Sequence, residues 1–310
     1  MTRLLREAGI SGDITGLEPL TGGYANDLYR ARLSGAVASV VVRCWRRDPA
    51  QAATEVAVMQ RAAGVVPLAS LLAADVNAER PVALLEDVPG MNAQQALEAD
   101  PAAAEQLGEA LGQAFARLHS VQFEHPGLLS APPLRVMPWP PSTPSQQLLD
   151  FAYPRLWNDT ARAALGEPVQ QQWWAYIQQH APLLDVLAEE ASLVHADANP
   201  KNVMVRRFPQ GWRVAAVLDW EFAFSGSSLS DLGNLLRWEA REGSSWTTGV
   251  LRGWREGGGP TSGNSLPGDF VTMARMLDVY SLLAFVNSPD SALHGPVTEL
   301  IRRTVTDQPR

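Results

Sequence analysis

The run Leu193-Val-His-Ala-Asp-Ala-Asn-Pro-Lys-Asn-Val-Met-Val205 decides how the chain is read. A strand-like apolar approach enters a polar loop, and the loop leaves into a second strand-like run from Val203 to Arg206. Asp197 and Asn202 lie within that loop, five residues apart. An acidic side chain held in a tight loop can accept a proton from a hydroxyl, and an amide oxygen is a hard ligand of the kind Mg2+ prefers. Pro200 stiffens the loop, and His195 can fix its backbone through a ring hydrogen bond. Lys201 is the one lysine among 25 basic residues. A step that needs a side-chain amine has this single candidate, which either reaches a phosphate or is a solvated loop residue.

Immediately downstream, Val214-Ala-Ala-Val-Leu-Asp-Trp-Glu-Phe222 ends an apolar strand in Asp219. A carboxylate at the tip of a buried strand is costly without a cation or hydrogen-bond donors. The two strand-like runs predict a hairpin with Asn202 and Asp219 at one end, placed to share one Mg2+ bound to phosphates. Glu221, two residues on, either joins the metal or faces solvent.

Farther out, the first 88 residues read as a small β-rich unit. Ile14 to Leu20, Asn26 to Leu33 and Ala36 to Trp45 have strand character, broken at Gly22-Gly23 and Ser34-Gly35. A helix is expected over Ala50 to Ala63, ended by Gly64, and two more strands over Pro67 to Ala74 and Val82 to Val88. From residue 91 helical periodicity takes over. Leu107, Leu111, Phe115 and Leu118 share one face of a helix between Pro101 and His119. The proline-rich stretch from His125 to Pro144 reads as an irregular surface loop. Helices are expected again over Gln146 to Trp157, Pro168 to Glu190 and most of the remainder, with a flexible break at Glu256 to Asp269.

Composition limits what such a chain can be. With 310 residues and 46% hydrophobic content it can bury a sizeable core in about two lobes. A net charge of −8 disfavours nucleic acid as a partner, because phosphate backbones are bound by clustered Lys and Arg. Cys44 is the only cysteine, so there is no intrachain disulfide and no multi-cysteine metal site, and a cytoplasmic setting is expected. The opening Met1 to Ile10 lacks the apolar run of a signal peptide. No apolar run reaches about 18 residues, so no membrane span is expected.

His195-x-Asp197-x-x-x-x-Asn202 followed by Asp219-Trp-Glu resembles the catalytic loop and metal-binding segment of the aminoglycoside phosphotransferase and choline kinase family, relatives of the protein kinases. Leu20-Thr-Gly-Gly-Tyr-Ala-Asn26 is similar to that family's nucleotide-covering loop, and Val40-Val-Val-Arg43 to its phosphate-contacting strand. Leu84-Leu-Glu-Asp-Val-Pro-Gly90 resembles the hinge that meets adenine, and Asp231-Leu-Gly-Asn-Leu-Leu-Arg237 a segment that braces the catalytic loop. The resemblance implies an α+β, two-lobed, protein-kinase-like fold. Residues 1–88 would form the nucleotide lobe, and 89–310 the lobe with catalytic loop, metal site and acceptor pocket. It further implies transfer of the γ-phosphoryl group of ATP to a hydroxyl of a small molecule. Asp197 would then be the catalytic acid–base group, with Lys201 beside it. Asn202 and Asp219 would hold Mg2+. Gly22, Gly23, Arg43, Glu55, Glu86 and Val88 would bind the nucleotide.

The sequence departs from the pattern in places. Arg43 stands where protein kinases use Lys, keeping the charge but presenting a planar fork. Asn199 and Lys201 replace the His and Gly that many family members carry. Two rivals are weighed. A catalytically silent nucleotide-binding protein would be free to lose Asp197, Asn202 and Asp219, which are all present. A protein kinase would carry Asp-Phe-Gly and Ala-Pro-Glu segments, which are absent. For the acceptor, the acidity of residues 89–310, with 23 acids against 16 bases, suggests a cationic hydroxyl compound such as an aminoglycoside or amino alcohol. Some of Glu221, Glu239, Glu242 and Asp278 could line the mouth of its pocket, where Trp220, Trp238 and Trp246 could add cation–π contact; the same acidity reads equally as solubilising surface charge.

Overall fold

The computed structural model describes residues 1–20, 26–260, 269–288 and 294–306. After a short helix α1 (Thr2–Glu7), strands β1 (Ile14–Pro19), β2 (Asp27–Leu33) and β3 (Ser39–Cys44) lead to helix α2 (Gln51–Ala62), and β4 (Leu71–Asp75) and β5 (Val82–Glu86) follow. The five strands form one antiparallel sheet in the order β1-β2-β3-β5-β4. Strand alternation assigns its two faces. Val40, Val42 and Leu84 pack with Leu4 and Leu5 of α1. Val41, Ala83 and Leu85 turn to the other face, where Val56, Val58 and Met59 of α2 lie. Arg43 follows the parity of Val41, so the strand carries it to the α2 side.

The chain then enters the larger lobe. Strand β6 (Met91–Asn92) opens helix α3 (Ala93–Ala99) through a capping box between Asn92 and Gln95. Helix α4 (Ala104–Leu118) buries the predicted face of Leu107, Leu111, Phe115 and Leu118. The stretch expected to be an irregular loop instead contains a hairpin, β7 (Gly127–Ser130) and β8 (Arg135–Pro138). Its prolines fall where a strand tolerates them: Pro132 and Pro133 are in the turn, and Pro138 ends an edge strand. Helices α5 (Pro144–Leu156), α6 (Asp159–Leu165) and α7 (Glu167–His180) follow, and a 3-10 helix over Ala181–Leu187 replaces the second half of the helix expected to reach Glu190.

Strands β9 (Ser192–Val194), β10 (Val203–Phe208), β11 (Gly211–Val217) and β12 (Phe224–Gly226) complete two small sheets, β11-β10-β6 and β8-β7-β12-β9. Helices α8 (Leu229–Leu236), α9 (Glu239–Glu256), α10 (Phe270–Val286) and α11 (His294–Thr306) close the lobe. One continuous core runs from α2 through α4, α5, α7, α8, α9 and α10. The lobes also touch through backbone, because Val217 N donates to Pro67 O at 2.8 Å. Among the described residues, no helix is long and apolar enough to cross a membrane.

Candidate active site

Because β3 carries Arg43 to the α2 side, its guanidinium meets Glu55, the buried acid of that helix. Arg43 Nη2 lies 2.8 Å from Glu55 Oε1 and donates to Asp219 Oδ1 at 3.0 Å. Trp45 Nε1 donates to Glu55 Oε2 at 2.7 Å, which fixes the carboxylate from the other side. Glu221 comes within 4.0 Å of Arg43 and accepts a hydrogen bond from Asn26 Nδ2 at 3.0 Å. One buried guanidinium thus faces three carboxylates, so these like charges raise one another's affinity for a proton. Burial pushes the Glu55 carboxyl up against the pull of Arg43. Burial and then the Asp219 charge push Glu221 up to about 7. Burial alone would lower the Arg43 pKa, but Glu55 and Asp219 outweigh it and raise it. Among the described residues, Arg43 Nε is a buried donor without a partner.

The loop expected to be catalytic runs between β9 and β10. Both carboxylate oxygens of Asp197 are held by amide donors: Asn199 Nδ2 to Oδ1 at 2.7 Å and Asn202 Nδ2 to Oδ2 at 2.7 Å. Each oxygen keeps lone-pair capacity for a further donor. Asn202 spends its Nδ2 on Asp197, and its Oδ1 makes no hydrogen bond among the described residues. Leu218 N donates to Asn202 O at 2.8 Å, which ties the loop to the residue before Asp219. His195 completes the tie. Asp197 N donates to its Nδ1 at 3.3 Å, so Nε2 carries the hydrogen and donates to Leu218 O at 2.9 Å. The ring is buried between Phe115 and Trp220, so its role here is to hold the backbone. Ala196 and Asp219 both adopt left-handed backbone, with φ of 67° and 65°, a conformation that costs non-glycine residues energy and clusters at functional sites.

Helix α8 secures the loop from beneath. Asp231 accepts His195 N at 2.9 Å and Ala196 N at 2.8 Å, and its Oδ2 also bonds His119 Nε2 at 2.9 Å. Asn234, one turn on, accepts Ala198 N at 3.2 Å and donates to Asp278 Oδ1 at 2.9 Å. His119 and Asp278 carried no signal for this role in the sequence. Asn234 could have been found as the residue three beyond Asp231 on a helix.

The structure therefore brings Arg43, Glu55, Asp219 and Glu221 into one cluster and Asp197 and Asn202 into its neighbour. Lys201 lies exposed on the 3-10 turn Pro200–Asn202, on the side of α3. There the Glu98 carboxyl is held low by its bond from Gln94, with Arg241 and Lys201 adding to the effect. Glu86 ends β5 with its carboxylate on Ser70 Oγ at 2.7 Å, and Val88 is half-buried just beyond. Between them Asp87 anchors the connection, taking Arg30 Nε at 2.7 Å and Ser39 Oγ at 2.6 Å. Gly22 and Gly23 lie outside the described residues.

Most of the acids and tryptophans expected at the acceptor pocket are paired or packed elsewhere, while Glu221 and Trp220 do line a cavity. Asp278 is buried and paired with Arg237. Glu239 pairs with Arg275, and Glu242 with Arg241. Trp220 and Trp246 are core residues, their indoles donating to Val217 O and Leu235 O. Composition places acids and tryptophans in the lobe, but pairing and packing decide where they face.

The donor chemistry suits magnesium and a nucleotide. Asp219 and Asn202 offer oxygen, the ligand Mg2+ takes in small numbers beside water and phosphate. The unpartnered Arg43 Nε is the kind of donor a phosphate oxygen satisfies.

Comparison with known proteins follows the same line. No curated protein sequence matches the chain. Solved structures do. The aminoglycoside phosphotransferase APH(4)-Ia superposes with a TM-score of 0.63 at 18% identity, covering 97% of each chain. A thermostable mutant of that enzyme, in ternary complex with ADP and hygromycin B, gives 0.62 at 18% identity over 97% of each chain. The macrolide 2'-phosphotransferase MphH from Brachybacterium faecium gives 0.59 at 18% identity, covering 99% of this chain and 98% of its own. At such identities the likeness shows the two-lobed, protein-kinase-like α+β fold. The model of the phosphotransferase enzyme family (APH) matches residues 16–264, most of the chain, and the chain belongs to that family.

Proposed function

We propose that this protein is an ATP- and Mg2+-dependent phosphotransferase that moves the γ-phosphoryl group to a hydroxyl of a small molecule. In this reading residues 1–88 are the nucleotide lobe and residues 89–310 carry the chemistry, in a cytoplasmic setting. The observation that carries it is the joining of Asp197, Asn202 and Asp219 through the Leu218 backbone, with the Arg43–Glu55 pair against Asp219.

The two amides on Asp197 fix the plane of its carboxylate and leave capacity on each oxygen to orient an acceptor hydroxyl and take its proton. Asp219 and the Asn202 Oδ1 would hold Mg2+. Arg43, kept in place by Glu55, offers its free Nε to the nucleotide phosphates, and Gly22 and Gly23 would contribute to nucleotide binding. Glu86 and Val88 would meet the base, and Lys201 would reach toward the transferred phosphate. Bound Mg2+ supplies neutralisation of charge on the phosphoryl oxygens. With positioning and electrostatics providing most of the rate, few side chains are needed.

Two substitutions separate the roles. Asp219→Asn changes shape little and removes one charge, so the chain should fold while Mg·ATP turnover falls by at least about a hundredfold, the order lost when one preorganised electrostatic group is removed. Asp197→Ala should keep nucleotide affinity near wild type and abolish transfer. ATP consumption with a panel of hydroxyl compounds, run beside nucleotide titration, reads both. Wild-type turnover in Asp219→Asn would defeat the reading.

A further inference from the structure

A cavity of about 250 Å3 opens beside the metal segment, between α2 and the β7–β8 hairpin. Its walls include Val58, Leu128, Phe222 and Ala223, with Glu221 and Glu55 on the side of the charge cluster. Leu128 and Phe222 are 55% and 53% exposed, a large apolar surface for residues so close to a polar site. Met137, 50% exposed, is the cross-strand partner of Leu128 and extends the same face.

Sheet register relates this face to the catalytic loop. Phe224 of β12 pairs with Leu128 on one side and with Val194 on the other. Two strand spacings separate Leu128 from Val194, about 10 Å. Val194 is the residue before His195, so the loop carrying Asp197 begins at the same end of the sheet. Phe222 stands three residues after Asp219. The two acids here are already committed: Glu55 to Arg43 and Trp45, and Glu221 to Asn26 with Arg43 within 4.0 Å. A polycation would find little unpaired charge to meet, whereas the exposed Leu128 and Phe222 gain from being covered.

Resting on the phosphotransferase reading, we propose that the acceptor is a hydroxyl compound with an apolar portion, which seats in this cavity while the reacting hydroxyl lies at Asp197. The hairpin that the prolines hid in the sequence is then the specificity element of the acceptor site.

The test uses the full chain and n-alkyl β-D-glucosides from methyl to hexyl, each titrated by tryptophan fluorescence. Affinity should rise two- to fourfold per methylene, the step expected for partial to full burial of a CH2. Leu128→Glu and Phe222→Ser alter exposed side chains, so both should fold, and both should flatten the dependence on chain length. A flat series in the wild type, or an unchanged slope in both folded variants, would overturn the proposal. Failure of the phosphotransferase reading looks different: Asp197→Ala and Asp219→Asn would leave Mg·ATP consumption untouched while the slope persisted.

Discussion

Glu221 is the residue of the charge cluster whose titration falls near neutrality. In the fold its carboxyl is raised to about 7 from an ordinary 4.5, first by burial and then by the Asp219 charge. The folded chain therefore holds a proton that the unfolded chain has released, and stability declines as pH rises from 4.5 to 7. Below that window the group contributes no penalty; above it the penalty is complete. For the metal-free chain in EDTA, Tm should fall across the window, and Glu221→Gln should remove that part of the fall. A difference between the two proteins that is constant with pH would count against it. Lys201 offers a second test at the same scale. An acyl-phosphate ATP probe acylates amines beside the phosphates, and Lys201 is the one side-chain amine. Labelling at Lys201 should be suppressed by excess Mg·ATP. Labelling indifferent to Mg·ATP would place the ammonium on the Glu98 side of the loop throughout.

At the scale of elements, α8 works as a template for the loop carrying Asp197. Asp231 and Asn234 stand on one face, three residues apart, and between them accept the backbone N–H groups of His195, Ala196 and Ala198. The Asn234 amide has one workable orientation, because Nδ2 must face Asp278 for Oδ1 to face Ala198. Asn234→Ala leaves a buried N–H and a buried carboxylate short of a partner, at a cost of about 1–3 kcal/mol. Denaturant unfolding should show that loss. Kinetics should show kcat reduced with nucleotide KM near wild type, since β3 and α2 are untouched; the reverse split would refute the template role. Much of this level is legible in the sequence. Alternation and turn residues reveal β1 to β5, the Gly64 stop bounds α2, and the spacing of Asp197, Asn202 and Asp219 points to the site. What escapes has physical reasons. Strand β12 is three residues long, too short for a period, and the β7–β8 hairpin hides behind prolines that its turn and edge accommodate. Charge alone placed Asp278 among the pocket acids, yet Met276, Leu277 and Val279 around it are the pattern of a buried helix, and a buried acid needs the partner it finds in Arg237.

Over the whole molecule, the position of the loop carrying Asp197 depends on how closely two long helices approach. Helix α4 presents Gly108 and Gly112, and α9 presents Gly249 and Gly253, each four residues apart. A Cβ on Gly253 would lie 2.0 Å from Glu109 O, and one on Gly112 would lie 2.3 Å from Val250 O. Backbone is therefore packed on backbone, and neither helix can yield without moving. Helix α4 in turn reaches the site: Phe115 packs against His195 with ring centroids 5.7 Å apart, and His119 bonds Asp231. Gly253→Ala sets two effects against each other. Helix propensity alone favours alanine by about 1 kcal/mol. Pushing the helices apart costs typically 1–3 kcal/mol. The contact should win, because the obstructing atoms are main chain rather than a flexible side-chain end. Gly295, at the start of α11 with nothing within 4 Å of its Cβ position, is the control in which that contact is absent. Gly253→Ala should lower Tm by a few degrees and reduce kcat through the shifted loop, while Gly295→Ala should leave both unchanged or raise Tm slightly. A rise in Tm for Gly253→Ala would mean that the helices separate freely, and that the loop takes its position from α8 alone.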